Sequence, residues 1–198
     1  DGTIKCYTPL YDDVPAKVQK QIVEAMDKAY FPEKLVMPYT ETVHDRIMLE
    51  VARGCIRGCR FCQAGMVYRP VREKTPGTLD CQAKALFEAT GYEEISLSSL
   101  SISDYTKVEE LTDKLLTWTD ENMINLSLPS RRVDSFTKGL MDRIASVRSG
   151  SLTFAPEAGT QRLRDVINKN VTEEEILSTC ENAFSGGWSN VKLYFMLG

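Results

Sequence analysis

Three of the chain's six cysteines fall inside Arg53–Cys62, "RGCIRGCRFC", at Cys55, Cys59 and Cys62. The spacing is Cys-x3-Cys-x2-Cys, and thiols this close invite three kinds of chemistry. A disulfide network is one, but three neighbours cannot all pair with one another, and the partners would be Cys6, Cys81 and Cys180. A structural zinc site is another. It wants four tetrahedral ligands, usually as two separated pairs, so His44 or a distant cysteine would have to complete the triplet. The third is an iron-sulfur cubane, in which three thiolates leave one iron without a protein ligand and open to a small molecule. On spacing alone all three readings stand.

The surrounding charges bear on the choice. Arg53, Arg57, Arg60, Arg69, Arg72 and Lys74 are set against a single Glu73, a local excess of positive charge in a chain whose net charge is -4. Cationic surroundings favour thiolates over thiols and welcome an anionic cluster or ligand. A solvated basic loop is the plainer reading of the same arginines. Gly54, Gly58 and Gly65 allow the loop to curl and let backbone N–H groups approach the sulfurs.

Strands alternating with helices must position this loop. Asp13-Val-Pro15 predicts a helix start, with Val18, Ile22, Val23 and Met26 at helical spacing and a stop before Phe31-Pro32. "RIMLEV", 46–51, predicts the first strand. Thr75-Pro-Gly-Thr78 opens a helix to about Ala89, and Gly91 suits the residue past its end. Strands follow near 95–100, 124–128, 151–155 and 191–197. The helices between them start at Thr106-Lys-Val-Glu109, Asp134, Gly159 and Thr172-Glu-Glu-Glu175. The first and last of these read as capping boxes.

Such an order builds right-handed βαβ units and a parallel sheet. Five strands are too few for a closed eight-stranded barrel and suit either an open α/β sheet or a partial (β/α) TIM-like barrel with outer helices, truncated after the fifth strand. Ligands in such folds sit at the carboxyl ends of the strands. The cysteine loop, the serine-rich loop after residue 98, Pro129–Arg132 and Pro156–Gly159 all follow strands and should converge there.

Bulk properties narrow the class. With 198 residues, 42% hydrophobic and 26% charged, the chain can bury a sizeable core. Its charge gives no nucleic-acid footprint. No apolar run approaches the roughly 20 residues that span a bilayer, and no signal peptide opens the chain. A reduced, cytoplasmic setting is expected. The first residue is Asp1, so a domain of a longer protein is expected, with 1–40 as a helical extension or linker and 41–198 as its α/β core.

Cys55-x3-Cys59-x-Phe61-Cys62, directly after the first strand of a βα series, resembles the signature of the radical S-adenosylmethionine (radical SAM) superfamily. The stretch "VHDRIMLEVARGCIRGCRFCQAGMVYRPVRE", 43–73, resembles a subgroup whose full-length members carry a cobalamin-binding-like domain ahead of the radical domain. The similarity continues through "GTQRLRDVINKNVTEEEI", 159–176.

The resemblance implies that Cys55, Cys59 and Cys62 hold a [4Fe-4S] cluster whose fourth iron binds S-adenosylmethionine (SAM). Reductive cleavage of SAM would give methionine and a 5'-deoxyadenosyl radical that takes hydrogen from a substrate the sequence does not identify. It implies that Phe61 lies by the adenine, and that Ser98 and Ser99 stand where relatives meet the SAM amino group. Ser127 and Ser130 would be further polar contacts, and Glu157 would lie near the ribose or methionyl part. Lys169 stands where relatives tend to place an arginine for the SAM carboxylate. Lysine keeps that charge without the bidentate fork. The implied partners are a substrate and a reductant such as a flavodoxin or ferredoxin, with cobalamin a further cofactor of the full-length protein. Two other functions stay open: methylthiotransferase-like modification of tRNA or a ribosomal protein, and a non-catalytic iron-sulfur or zinc module. Cys81 and Cys180, on amphipathic helices, read as buried structural thiols.

Overall fold

The computed structural model describes residues 2–40, 42–129 and 152–197. Its strands are β1 (Ile47–Glu50), β2 (Ala52–Arg53), β3 (Arg72–Glu73), β4 (Glu94–Ser98), β5 (Asn125–Ser127), β6 (Leu152–Glu157) and β7 (Val191–Phe195). Its helices are α1 (Ala64–Val67), α2 (Pro76–Thr90), α3 (Val108–Thr119), α4 (Gln161–Val166) and α5 (Glu173–Ser185).

β1, β4 and β5 form one parallel sheet, with Ile47 opposite Ile95 and Ile95 opposite Leu126. β6 and β7 form a second parallel pair. Alternate residues of β1 and β4 point into the core: Ile47, Leu49, Ile95 and Leu97 are fully buried. Each such side chain contributes about 1.5–3 kcal/mol by leaving water. α2 supplies Leu79, Ala83 and Leu86 to the same core, and α3 supplies Leu111 and Leu115. α2 and α3 are also joined by Phe87 against Trp118, centroids 5.8 Å apart, and by Trp118 Nε1 donating to Asp80 at 2.9 Å. The result is the expected α/β partial barrel, in which βα units deliver their loops to the carboxyl ends of the parallel strands.

Helix signals in the sequence differ in outcome. Thr75 caps α2, Gly91 ends it at φ 69°, and Thr172 with Glu175 forms a complete capping box on α5. The box at Thr106 does not form. Thr106 N donates to Glu73 at 3.0 Å, its hydroxyl donates to the other oxygen of Glu73, and α3 starts after Lys107 without a side-chain cap. A competing carboxylate from β3 captured the capping residue.

The helix expected from Asp13 is also absent. Among the described residues of 2–40 only a 3-10 turn, Met26–Lys28, is regular. Val18 is 89% exposed, and Ile22 and Val23 are also exposed, so the apolar stripe has no surface to bury against. A helix this short needs such a surface to persist. The segment instead follows the body as a strap. Met26 is buried, Asp27 accepts from Thr75 N at 2.7 Å, and Lys20 donates to Val67 O at 2.5 Å. The β2–β3 antiparallel ladder after the first strand carried no clear signal in the sequence. The helix expected from Asp134 lies outside the described residues.

Candidate functional site

Three strand ends and one helix end build the site. The cysteine loop leaves β2 and runs to α1. Gly54 opens it at φ 104°, where a Cβ would stand 2.3 Å from Tyr68 O, and a Cβ on Gly65 would stand 2.2 Å from Arg57 O. The chain therefore folds back on itself through positions only glycine can occupy. Inside the loop Arg57 N donates to Cys55 Sγ at 3.4 Å, and Cys62 N donates to Cys59 O at 3.1 Å.

Cys55, Cys59 and Cys62 open onto one cavity of about 220 Å³, together with Arg57, Phe61, Leu100, Ser101, Ala155, Glu157 and Lys169. Lys169 Nζ stands 3.3 Å from Glu157 Oε1 and 5.8 Å from the centroid of the Phe61 ring. Glu157 ends β6 at a register shift and at φ 68°, an irregularity that sets its carboxylate off the regular strand alternation. A second cavity of about 390 Å³ shares Leu100 and is lined by Glu50, Ala52, Arg53, Gly54, Tyr68, Ser98 and Ser99. Among the described residues the hydroxyls of Ser99 and Ser101 are buried without a hydrogen-bond partner. One of the two residues lines each cavity, with its hydroxyl itself shielded from solvent.

The structure thus brings together six of the residues singled out in the sequence: Cys55, Cys59, Cys62, Phe61, Glu157 and Lys169. Ser98 and Ser99 line the adjoining cavity. Ser127 sits in β5 opposite Ser96 and lines neither. Ser130 lies outside the described residues.

The basic excess is largely spent on holding the loop. Arg53 donates to both oxygens of Glu50 at 2.7 and 2.6 Å, and this pairing holds the Glu50 carboxyl below its ordinary range. Arg69 donates to Ile56 O and Arg57 O, Arg72 to Pro70 O and Val23 O, and Arg60 to Val166 O. Lys74 is buried against Gln82 and the Phe31 ring, and burial pushes its pKa down. Of the six cations only Arg57 lines the cysteine cavity, where Asp104 holds its guanidinium on two sides. The second cation there, Lys169, comes from a position more than a hundred residues further along the chain. Sequence proximity overstated the charge around the thiols, and Asp104 carried no signal that it would meet Arg57.

The residues fit an iron-sulfur cluster. The thiols are free, half-buried at Cys55 and Cys59 and exposed at Cys62, and share one cavity with a backbone N–H on Cys55 sulfur. Among the described residues no three Cys, His, Asp or Glu side chains are gathered on one point as a single metal ion requires. A cubane takes each thiolate on a different iron and does not need that. His44, the fourth ligand of the zinc reading, is exposed and does not line the cavity. Cys81 is exposed rather than buried: Leu79, Ala83 and Leu86 take the inward face of α2. Cys180 is half-buried, and burial pushes its thiol pKa up.

Among the described residues no helix is long and apolar enough to cross a membrane. The chain is 33% identical over 195 residues to the uncharacterized protein MJ0966 of Methanocaldococcus jannaschii, covering 94% of this chain and 42% of that protein. It is 25% identical over 146 residues to MJ0865 of the same organism, provisionally named a methylthiotransferase, covering 69% of this chain and 32% of that one. Among solved structures it resembles the radical SAM methyltransferase TsrM of Kitasatospora setae, which has cobalamin and a [4Fe-4S] cluster bound. The TM-score is 0.62 at 11% identity, over 77% of this chain and 31% of that one. The chain therefore spans less than half of each of these proteins. The profile of the Radical SAM superfamily matches residues 49–198, which takes in the end of β1, the cysteine loop, both cavities and the other four parallel strands, and the chain belongs to that superfamily.

Proposed function

We propose that this chain is the core of a radical SAM enzyme in which Cys55, Cys59 and Cys62 hold a [4Fe-4S] cluster and SAM binds beside it. The observation that carries the reading is the meeting of three free thiols and the Lys169–Glu157 pair on one cavity. With both bound, one electron through the cluster supplies reductive cleavage of SAM to methionine and a 5'-deoxyadenosyl radical, which takes hydrogen from a substrate.

The chain's own side chains bind, orient and exclude water. Lys169 offers an ammonium to the SAM carboxylate, and its pairing with Glu157 keeps that ammonium inside the cavity. Glu157 has acceptor capacity left for an ammonium or ribose hydroxyls. Phe61 gives a flat apolar wall suited to adenine. Ser98 and Ser99 would supply further polar contacts from the adjoining cavity. The cavity beyond Leu100 is the place for the substrate, closed on one side by Tyr68 and by the Glu50–Arg53 pair.

Support for a cobalamin partner comes from the likeness to TsrM and from the subgroup resemblance, and cobalamin belongs here to a domain outside this chain. A flavodoxin or ferredoxin in the cytoplasm would supply the electron. Likeness to MJ0865 favours a second reading, methylthiolation. That chemistry calls for a second cluster, whose ligands would come from outside this chain, since Cys6, Cys81 and Cys180 line neither cavity.

The test is anaerobic reconstitution of the full-length protein with iron and sulfide. The reading expects about four irons and four sulfides per chain and an electron paramagnetic resonance (EPR) signal that changes when SAM is added. A colourless protein holding one zinc, or a cluster blind to SAM, would replace it with the zinc or electron-carrier reading.

A further inference from the structure

The proposed ligand loop is not held by its own residues alone. Asn168 Nδ2 donates to Gly58 O at 2.7 Å, across 110 residues of sequence. Arg60 N donates to Ile167 O at 2.9 Å, and the Arg60 guanidinium donates to Val166 O. Gly58 and Arg60 flank Cys59, so both neighbours of the middle cysteine are tied to the end of α4. A Cβ on Gly58 would stand 3.1 Å from Asn168 Nδ2, so the carboxamide lies directly against the glycine backbone. Gly58 O can only accept, which assigns the NH2 group of Asn168 to this contact.

The turn that carries Asn168 is itself fixed. Asn168 and Asn170 are both left-handed, at φ 54° and 51°, and they bracket Lys169. Asparagine is among the few side chains that enter this region readily. Lys169 N donates to Arg164 O at 2.9 Å. Arg164 is buried, and its guanidinium donates to Ala158 O at 3.0 Å and to Val171 O at 3.1 Å. One buried arginine therefore joins the residue after Glu157 to the far side of the Lys169 turn. Asn168 extends that frame to the cysteine loop.

We infer that Asn168 is a positioning residue: its carboxamide sets the separation between the thiol triplet and the Lys169–Glu157 pair. It touches neither thiol nor ligand in this role and acts through the Gly58 carbonyl. The inference rests on the reading of the cysteines as cluster ligands and Lys169 as a SAM contact. Two requirements meet at this position, a left-handed backbone and an N–H donor, and two substitutions separate them. Asn168→Asp keeps the shape and tolerates the backbone but sets a carboxylate against a carbonyl. Asn168→Gly keeps the backbone without strain and removes the donor.

The experiment uses the full-length protein, wild type and both variants, reconstituted anaerobically with iron and sulfide. Three measurements are made: iron loss to a chelator, the SAM concentration that half-converts the EPR signal of the reduced cluster, and the melting temperature. Both variants should lose iron about tenfold faster and need about tenfold more SAM, the scale of one partly buried hydrogen bond left unmade. Melting should move by only a few degrees, on the order of one such bond. If both variants hold iron and respond to SAM as wild type does, the donor has no positioning role and the inference falls. If iron loss and SAM response change only in proportion to a large melting shift, the residue is merely structural and the inference also falls. If wild-type protein takes up no cluster, the functional reading fails first and removes the ground for this one. That outcome is distinguished by the wild-type iron content alone.

Discussion

Asp104 Oδ2 accepts from Arg57 Nε at 2.9 Å, and Asp104 Oδ1 accepts from the same guanidinium, a two-sided grip across 47 residues. Asp104 belongs to the 3-10 turn Ile102–Asp104 that follows the serine loop, and Arg57 sits between the first two cysteines of the triplet. The grip therefore ties the loop after β4 to the cysteine loop. Both side chains are mostly buried, at 13% and 27% exposure, so solvent weakens the pair less than it would at the surface.

Asp104→Ala removes the two-sided grip on the Arg57 guanidinium in the cavity wall. The expected cost is about 1–2 kcal/mol, discounted for the remaining exposure. Melting of the apoprotein should fall by about 2–8 °C. An unchanged melting temperature would mean that the grip contributes nothing.

Substitution of Cys55, Cys59 or Cys62 by Ala should each abolish cluster uptake, because a cubane with two protein thiolates is poorly held. Cys81→Ala and Cys180→Ala should leave iron content unchanged, since neither side chain lines the cysteine cavity. Iron and sulfide analysis after reconstitution reads both arms.

Lys169→Ala should weaken SAM binding about ten- to a hundredfold, the range for losing a charge-assisted hydrogen bond, while iron content stays near wild type. Lys169→Arg should recover most of the affinity, because a guanidinium restores both the charge and a fork for the carboxylate. Equilibrium binding of SAM to the reconstituted protein measures both.

Arg53 donates to both oxygens of Glu50 and lowers its folded-state pKa from the ordinary 4.5. A depressed carboxyl pKa adds stability above 4.5, and that stability is lost as pH falls through the folded value. Glu50→Gln should therefore melt slightly below wild type at pH 7, by under about 1 kcal/mol for so exposed a pair. The gap should close in acid below the depressed pKa. Melting curves of the two proteins across pH 2–7 test the sign.

Much of the fold was readable because strands β1 and β4 bury alternate Ile and Leu residues, and α2 carries both of its end signals, Thr75 and Gly91. Local patterns of that kind are decided within a few residues. What the sequence hid was decided at long range. Thr106 caps nothing because Glu73 reached it first, and the stripe at Val18, Ile22 and Val23 forms no helix because nothing covers it. At the site the cysteine loop and Glu157 share a cavity, in keeping with their positions after strands, while Lys169 was marked only by the family resemblance. Asp104 and Asn168 were invisible, since a lone Asp or Asn announces no partner 47 or 110 residues away.

The central claim is that three thiolates leave one iron open to SAM. Full-length protein, loaded with iron and sulfide without oxygen and reduced with dithionite, should convert SAM to 5'-deoxyadenosine and methionine, seen by chromatography, even if slowly and without substrate. Fully loaded, reduced protein that returns all of its SAM intact would contradict it.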